Sequence, residues 1–362
     1  MPIKVLLVDD SAVIRGLMSK ALSVDSAIEI VGTASNGSMA INLVGSLHPD
    51  VIILDIEMPI MDGLEALPEI LKISPDSKVI MASALTRSNA SLSIKALGLG
   101  AADYLTKPSS KDPSEVNIFY RELIEKVKVL CDNTSHEPAH AVHSPAPVVK
   151  PPAPAVELVP TANIPLHVTG VKALAIASST GGPQALMALL ESLKGHLLNI
   201  PIFITQHMPP TFTTILAEHL TKSSARNCTE AKGGEIPVAG NIYLAPGDFH
   251  MVVEKNILGR VTIAINKDPQ ENFCRPAADT MLRSLSKVYG KNLAVVVLTG
   301  MGQDGMLGSK MVVENGGSVI AQDEDSCIVY GMPKAVVENK LCRAVLPLTE
   351  IGRYLSQQIE GR

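Results

Sequence analysis

The chain has 362 residues, a net charge of −5 and a hydrophobic content of 46%. At about 150 residues per domain, this length predicts two domains with enough apolar material for two cores. The slightly acidic balance excludes a basic nucleic-acid footprint, and an aromatic content of 3% argues against a stacking surface for single strands.

The same composition predicts a cytoplasmic protein that does not insert into a membrane. No apolar run approaches the length of a membrane span, and two aspartates interrupt the N-terminal stretch MPIKVLLVDD before it could serve as a signal peptide. The cysteines are scattered, odd in number and without CxxC spacing, which predicts reduced thiols rather than disulfides or zinc ligands. They are Cys131, Cys228, Cys274, Cys327 and Cys342.

The first 130 residues alternate between strand-like and helix-like stretches. Five short apolar stretches are typical of buried strands: IKVLLVDD, EIVGTASN, VIILDIEMP, KVIMASAL and ADYLTKP. Amphipathic segments separate them, so this part is predicted to form a doubly wound parallel α/β sheet.

Polar residues follow four of these strands, in the order Asp9 and Asp10, Asp55, Ser83 and Lys107. The carboxyl ends of parallel strands meet at one edge of a sheet, so these side chains are expected to converge. Converging carboxylates suit Mg²⁺, and an aspartate flanked by cations can accept a phosphoryl group. Aspartates also end strands and cap helices, but the complete set in this order favours a phosphorylation site.

Residues 3 to about 125 resemble a response-regulator receiver domain. The resemblance rests on Asp9-Asp10, on Asp55 within LDIEMPIMDG, on Ser83 and on Lys107-Pro108. It implies a receiver (flavodoxin-like) fold in which a partner histidine kinase phosphorylates Asp55.

Further roles are implied by this resemblance alone. Mg²⁺ would be held by Asp10, Asp55 and a backbone group near Glu57, with Asp9 nearby. Tyr104 matches the aromatic residue that changes its packing on activation, although a tyrosine near a strand end is more often a core residue with a wet tip.

The amino-acid composition changes at residues 131–167. Seven prolines occur in the 23 residues from Pro138 to Pro160, which predicts a semi-extended linker between a receiver domain at 1–130 and a second domain at 168–362. Three histidines in this linker are predicted to be solvated rather than metal-binding: His136, His140 and His143.

The second domain resumes the α/β rhythm. The predicted strands are KALAIAS, IPIFITQH, NIYLAP, NLAVVVLTG and GSVIAQ. The first runs into the turn Ser178-Ser179-Thr180-Gly181-Gly182, and a helical pattern follows Pro183. Such a turn can present a nucleophilic serine beside free amides, it can cradle a phosphate, or it can be a plain helix cap.

Two other strand ends place a histidine and an aspartate at the same predicted edge. His207 follows the second strand, and Asp304 lies in a glycine-rich loop after the fourth. Together with Ser179 they form the set that acyl transfer needs: a nucleophile, a base and a carboxylate that fixes the imidazole. Ser178 competes with Ser179, and His250 and His219 are rival bases.

Residues from about 170 to 355 resemble the catalytic domain of the CheB family of chemotaxis protein-glutamate methylesterases. The matching stretches are IASSTGGPQAL, ITQHMPPTFT, GGEIPVAGNIYLAPGDFHM, CRPAADTMLRSL, LTGMGQDG and YGMPKAV. The resemblance implies a Rossmann-like three-layer hydrolase with Ser179 as nucleophile, His207 as base and Asp304 as acid. Supporting roles would fall to Thr180, Gly181, Gly182 and the backbone amide of Met301.

The implied reaction is hydrolysis of glutamate methyl esters on the cytoplasmic helices of chemoreceptors, with possible deamidation of glutamines and with no cofactor in this domain. The phosphodonor would be the chemotaxis kinase CheA. Two other classes remain open: a receiver joined to a transcriptional output domain, which would need a basic recognition helix, and a nucleotide-binding output domain.

Overall fold

The computed structural model describes residues 1–84, 86–108, 113–132, 170–196 and 199–360. Within them lie two sheets whose strands all run parallel, each covered by helices on both faces, so the predicted α/β fold class is confirmed. The linker predicted at 131–167 lies outside the described residues apart from the end of one helix, and the domain boundaries stay a prediction.

The N-terminal sheet has the strand order β2-β1-β3-β4-β5. Its strands are β1 (Ile3–Val8), β2 (Ile28–Ala34), β3 (Val51–Asp55), β4 (Lys78–Ala84) and β5 (Asp103–Lys107). Its helices are α1 (Ala12–Leu22), α2 (Gly37–Leu47), α3 (Gly63–Ile73), α4 (Arg87–Gly98) and α5 (Pro113–Asp132). All five predicted strands are present.

The C-terminal sheet has seven strands in the order β14-β13-β12-β6-β7-β9-β8. They are β6 (Ala173–Ser178), β7 (Ile202–Gln206), β8 (Cys228–Glu230), β9 (Ile242–Leu244), β12 (Leu293–Val297), β13 (Ser318–Gln322) and β14 (Ala344–Leu346). A separate antiparallel pair consists of β10 (His250–Lys255) and β11 (Val261–Asn266). The helices are α6 (Gly182–Ser192), α7 (Phe212–Ser224), α8 (Ala278–Tyr289), α9 (Met306–Glu314), α10 (Met332–Glu338) and α11 (Leu348–Glu360).

Four strands of this half were not predicted. β8 and β14 are only three residues long at the two edges of the sheet, too short to show a periodic pattern. β10 and β11 form a hairpin outside the main sheet, and their residues are partly exposed rather than continuously apolar. The five predicted strands are buried on both faces of the parallel sheet. They are therefore apolar along their length, which is the pattern that predicted them.

Alternation along β6 decides how closely helices approach its two faces. Ala173, Ala175 and Ala177 point to the face that packs against α8, whereas Leu174 and Ile176 point to the opposite face. Small side chains let a helix approach the sheet closely, so the first turn of α8 lies near the carboxyl edge of β6.

Helix α4 of the first half contacts α6 and α7 of the second, and one apolar cluster includes residues from both halves. At the contact, the rings of Tyr104 and Phe212 are stacked with centroids 4.5 Å apart. Gln184 on α6 donates through Nε2 to the carbonyl oxygens of Leu97 (2.6 Å) and Ala101. The predicted activation tyrosine therefore packs against the second half of the chain.

No helix among the described residues has the length and apolarity needed to cross a bilayer.

A close backbone contact fixes the loop that follows β7. Gly247 lies against Pro209 and Pro210, so that a Cβ added to it would meet the Pro210 nitrogen at 2.2 Å. Its N–H also donates to Thr213 Oγ1 at 3.0 Å. Only a residue without a side chain allows this approach, which holds the segment carrying His207 in place.

We expect Gly247→Ala to lower the free energy of unfolding by about 1–3 kcal/mol, because the added methyl group must displace the Pro209-Pro210 backbone. Gly233→Ala is the matched control, since a Cβ there would meet Ile265 at an ordinary 3.7 Å. Thermal unfolding followed by circular dichroism measures both, and equal melting temperatures for the two variants would contradict the steric explanation.

Candidate functional site

The three loops predicted to form a catalytic set lie at one edge of the C-terminal sheet. Ser179 follows β6 and His207 follows β7, and these two strands are neighbours in which the His207 N–H donates to the Ser178 carbonyl at 3.2 Å. The loop after β12 reaches the same turn, since a Cβ on Gly300 would lie 2.8 Å from Ser179 Cβ. Asp304 closes that loop.

His207 and Asp304 form a buried hydrogen-bonded pair. His207 Nε2 lies 2.7 Å from Asp304 Oδ2, and the Asp304 residue is 2% exposed. The carboxylate also accepts backbone N–H groups from Ala278 (2.6 Å), Asp279 (2.9 Å) and Gly305 (2.9 Å). Two of those donors belong to the first turn of α8, where free amides stabilise negative charge.

These contacts shift the pKa values of both partners in opposite directions. Burial alone would raise the pKa of Asp304, but the hydrogen bond and charge of His207 and the backbone donors outweigh it and lower the pKa. Burial likewise disfavours the charged form of His207, but its contacts with Asp304 and Cys274 together outweigh burial and raise its pKa. The pair therefore favours an imidazolium beside a carboxylate, the charge state that arises when a base takes up a proton.

Ser179 stands beside this pair without being bonded to it. Within the described parts of the chain, its hydroxyl makes no hydrogen bond, and His207 Nδ1 instead lies 3.5 Å from Cys274 Sγ. Nε2 is occupied by Asp304, so Nδ1 is the nitrogen that could receive a proton from Ser179. The structure joins the base to the acid and leaves the serine partly exposed on the same edge.

The rival residues are engaged elsewhere. Ser178 is fully buried and its hydroxyl donates to Gln206 Oε1 at 2.7 Å. His250 is also buried, with Nδ1 accepting from the Ala277 N–H at 3.2 Å and Nε2 donating to the Pro269 carbonyl at 3.1 Å. These contacts favour Ser179 over Ser178 and His207 over His250.

The turn after Ser179 also offers amide donors. The N–H of Gly182 donates to the Ser179 carbonyl at 2.8 Å and is therefore used within the turn. By contrast, the N–H groups of Thr180 and Met301 have no acceptor among the residues that the structure describes. Gly181 has a φ of +74°, and a Cβ there would lie 2.7 Å from Ile328 Cβ, so this turn needs glycine.

The Thr180 side chain points toward the N-terminal half of the chain. Its hydroxyl donates to Asp103 Oδ2 at 3.0 Å, and the same oxygen is also bonded to Lys126 on α5. A residue next to the predicted nucleophile is thus tied directly to β5.

The predicted phosphorylation site also assembles at the carboxyl edge of its sheet. One carboxylate oxygen from each of Asp9, Asp10 and Asp55 lies within 4.8 Å of the others, and Asp10 is exposed. Lys107 Nζ lies 2.7 Å from Asp9 Oδ2 and 2.6 Å from Asp55 Oδ1. Burial raises the pKa of Asp55 to about 6, although the charge of Lys107 opposes that shift. A set of clustered oxygen ligands open to solvent fits a divalent cation.

Other predicted receiver residues lie around this cluster in different environments. The Ser83 hydroxyl is buried and lies 3.0 Å from Ser93 Oγ on α4. The Glu57 side chain accepts from Asn89 Nδ2 at 3.3 Å, which leaves its backbone as the part implied for metal binding. The Tyr104 ring lies on Phe212, and burial raises its pKa well above the ordinary value.

Sequence reasoning missed several residues that contact the site. They are Gln206, Asn272, Cys274 and Asp279. The sequence does contain a signal for Asp279. It shares the buried face of an amphipathic helix with Leu282 and Ser286, and a carboxylate on such a face indicates a buried polar partner. No local pattern marks Asn272 or Cys274.

Comparison with protein families assigns both halves. Residues 174–355 match the family model of CheB methylesterase, and residues 5–116 match that of the response regulator receiver domain. The resemblances drawn from the sequence motifs are confirmed.

Individual relatives match over the whole length. A protein-glutamate methylesterase/protein-glutamine glutaminase of Azospirillum brasilense is 48% identical, covering 98% of this chain and 92% of that protein. Protein-glutamate methylesterase/protein-glutamine glutaminase 1 of Paramagnetospirillum magneticum is 47% identical, covering 98% of this chain and 95% of its own length. The crystal structure of the Thermotoga maritima CheB methylesterase catalytic domain is similar with a TM-score of 0.50 and 39% identity, covering 54% of this chain and 100% of that one.

Proposed function

The chain belongs to the CheB family of protein-glutamate methylesterases with an N-terminal receiver domain, and we propose that it hydrolyses glutamate methyl esters on chemoreceptors under the control of phosphorylation. The observation that supports the chemistry is the buried His207–Asp304 pair beside the turn of Ser179. The action is proposed to take place in the cytoplasm, on the signalling helices of methylated receptors.

In the proposed reaction, Ser179 Oγ attacks the ester carbonyl while His207 Nδ1 takes up the hydroxyl proton. Asp304 stabilises the imidazolium through Nε2, and the amides of Thr180 and Met301 are placed to donate to the oxyanion. The proton then passes to the methoxy oxygen and methanol leaves. Water attacks the acyl-enzyme with His207 again as base, which restores Ser179 and releases the glutamate carboxylate.

The same acyl-enzyme chemistry accommodates a glutamine side chain, in which case ammonia leaves instead of methanol. The relatives carry both activities in their names. We propose ester hydrolysis as the main activity and glutamine deamidation as a second reaction of the same residues.

For the receiver domain we propose phosphorylation of Asp55 by the chemotaxis kinase CheA with Mg²⁺. Asp10 and Asp55, together with the backbone near Glu57, would hold the ion, and Asp9 lies close by. When bound, Mg²⁺ neutralises phosphoryl oxygens, while Lys107 supplies a second positive charge at Asp55.

Contacts between the halves suggest how phosphorylation of Asp55 changes access to the candidate active site. The Thr180–Asp103 hydrogen bond and the Tyr104–Phe212 stack tie β5 to the rim of the candidate active site. We propose that this closed arrangement restricts large substrates and that phosphorylation, which adds about −1.5 to −2 charges at Asp55, shifts the equilibrium toward an open form.

The two other classes find less support. A nucleotide-binding output domain is less well supported, because residues 174–355 match the family model of CheB methylesterase. A transcriptional output domain would need a basic recognition helix, whereas the second half is a parallel α/β sheet.

The hydrolase proposal is tested by Ser179→Ala, which should lower methanol release from methylated receptor membranes by on the order of 10⁴-fold, because no acyl-enzyme can form. Ser178→Ala is the matched control and should retain most of the activity, since that hydroxyl is bonded to Gln206. Both are assayed as full chains with a phosphodonor. Retained turnover in Ser179→Ala would contradict the assignment.

The metal proposal predicts that Mg²⁺ raises the free energy of unfolding of the receiver domain by about 2.7 kcal/mol at a concentration of 100 times Kd. Asp10→Asn should remove most of this gain because one carboxylate ligand is lost. Asp76→Asn, an exposed aspartate in a distant turn, should keep it. Calorimetry with and without MgCl₂ measures the shift, and equal shifts in the two variants would argue against the site.

The closed arrangement predicts that Gln184→Ala raises the basal activity of the unphosphorylated full chain, because two hydrogen bonds to the receiver domain are lost. At about 0.5–1 kcal/mol each, the two bonds contribute about 1–2 kcal/mol in total, so the gain is roughly 5- to 30-fold. Gln357→Ala, on an exposed face of α11, is the control and should change nothing. Methanol release without a phosphodonor measures both variants, and an unchanged basal rate in Gln184→Ala would count against occlusion.

A further inference from the structure

We propose that Asn272 is a positioning residue for this hydrolysis, whose side-chain amide holds the Asp304 carboxylate in place for His207 by bridging it to a second buried carboxylate, that of Asp279. The inference rests on the proposed function and extends it to a loop that supplies no nucleophile, base or acid.

The bridge uses both hydrogens of one amide. Asn272 Nδ2 lies 3.0 Å from Asp304 Oδ1 and 3.0 Å from Asp279 Oδ2. Asp279 Oδ1 in turn accepts the N–H of Gly308 at 2.6 Å, which fixes its carboxylate on the far side. An NH₂ group has two donors, and here each donor meets one carboxylate.

The backbone at this point is suited to asparagine. Asn272 has a φ of +53°, in the left-handed region where asparagine is several-fold enriched among residues other than glycine. Phe273 shares this conformation with a φ of +61°, but its side chain is 86% exposed. The loop therefore turns one side chain into the site and the next one out of it.

Two carboxylates this close and this deeply buried repel each other. Asp279 and Asp304 are 1% and 2% exposed. Burial and the charge of Asp304 raise the pKa of Asp279 to about 6, while the Gly308 N–H and the Asn272 amide act in the opposite direction. The amide thus helps both groups remain ionised at neutral pH.

The other charged groups around the pair do not replace this role. His207 contacts Asp304 from the loop after β7. Arg283 on α8 and Glu271 in the Asn272 loop are bonded to each other, so their charges largely offset one another near the pair. Cys274 faces His207 and not the carboxylates. Asn272 is the side chain that donates to both carboxylates.

Loss of the amide should therefore place a proton on the carboxylate pair near neutral pH. Asp279 takes up that proton and can then donate it in a hydrogen bond to Asp304, which weakens the negative charge that stabilises the His207 imidazolium during proton transfer from Ser179. The expected defect is in kcat and depends on pH: it is large where the pair is protonated and disappears where the pair is ionised.

The test variant is Asn272→Gly in the full chain, because glycine adopts the same φ without strain and lacks the amide. With methylated receptor membranes and a phosphodonor, we expect kcat to fall about tenfold near pH 6.5 with little change in KM. The acid limb of the kcat profile should move up by about one pH unit, so that most activity returns at pH 8.5.

Two further variants separate the bridge from general damage to the loop. Phe273→Gly changes the neighbouring residue of the same conformation and should keep the acid limb in place. In Asn272→Gly combined with Asp279→Asn, the second charge is gone, and the acid limb should return toward its wild-type position. A loss of kcat by one factor at every pH, or a shift that persists in the double variant, would overturn the proposal.

A substrate-free readout distinguishes failure of this inference from failure of the hydrolase proposal. Wild-type protein that releases no methanol would refute the hydrolase. The low-field proton NMR signal of the His207–Asp304 hydrogen bond still reports the bridge in that case. Its loss near pH 6.5 in Asn272→Gly, with retention in Phe273→Gly, supports the positioning role, and an unchanged signal in both overturns it.

Discussion

The second half of the molecule depends on one constraint, the stabilisation of a buried negative charge at Asp304. Three backbone N–H groups, the Asn272 amide and the His207 ring all donate to this carboxylate. A buried carboxylate without such donors would cost several kcal/mol or take up a proton. The alanines of β6 and the first turn of α8 are arranged so that the donors reach it.

Both halves use the same structural solution for different chemistry. In each, reactive side chains follow parallel strands and meet at the carboxyl edge of the sheet, where strand ends and helix starts leave free backbone groups. The receiver domain gathers carboxylates and a lysine there, and the second domain gathers a hydroxyl, an imidazole and a carboxylate.

The contact between the halves links these two edges. Asp103 accepts from Thr180 and Lys126, and the adjacent Tyr104 lies on Phe212. Asp103 and Tyr104 belong to β5, the strand that ends at Lys107, and this lysine is bonded to Asp55. A change of charge at Asp55 therefore acts on a strand that already touches the residue beside Ser179.

The sequence by itself determined the fold class, the ten main strands, the family and the set of residues at the strand ends. Strands with two covered faces must be apolar along their length, and the functional groups must interrupt the chain where those strands end, so both leave a local pattern. Only the tertiary structure decided which groups meet. It paired His207 with Asp304 through Nε2, turned Nδ1 to Cys274 and tied Thr180 to Asp103. It also brought Asn272 between two carboxylates. These contacts join segments far apart in the chain, and their geometry is set by helix packing and loop conformation, for which no periodic pattern exists in the sequence.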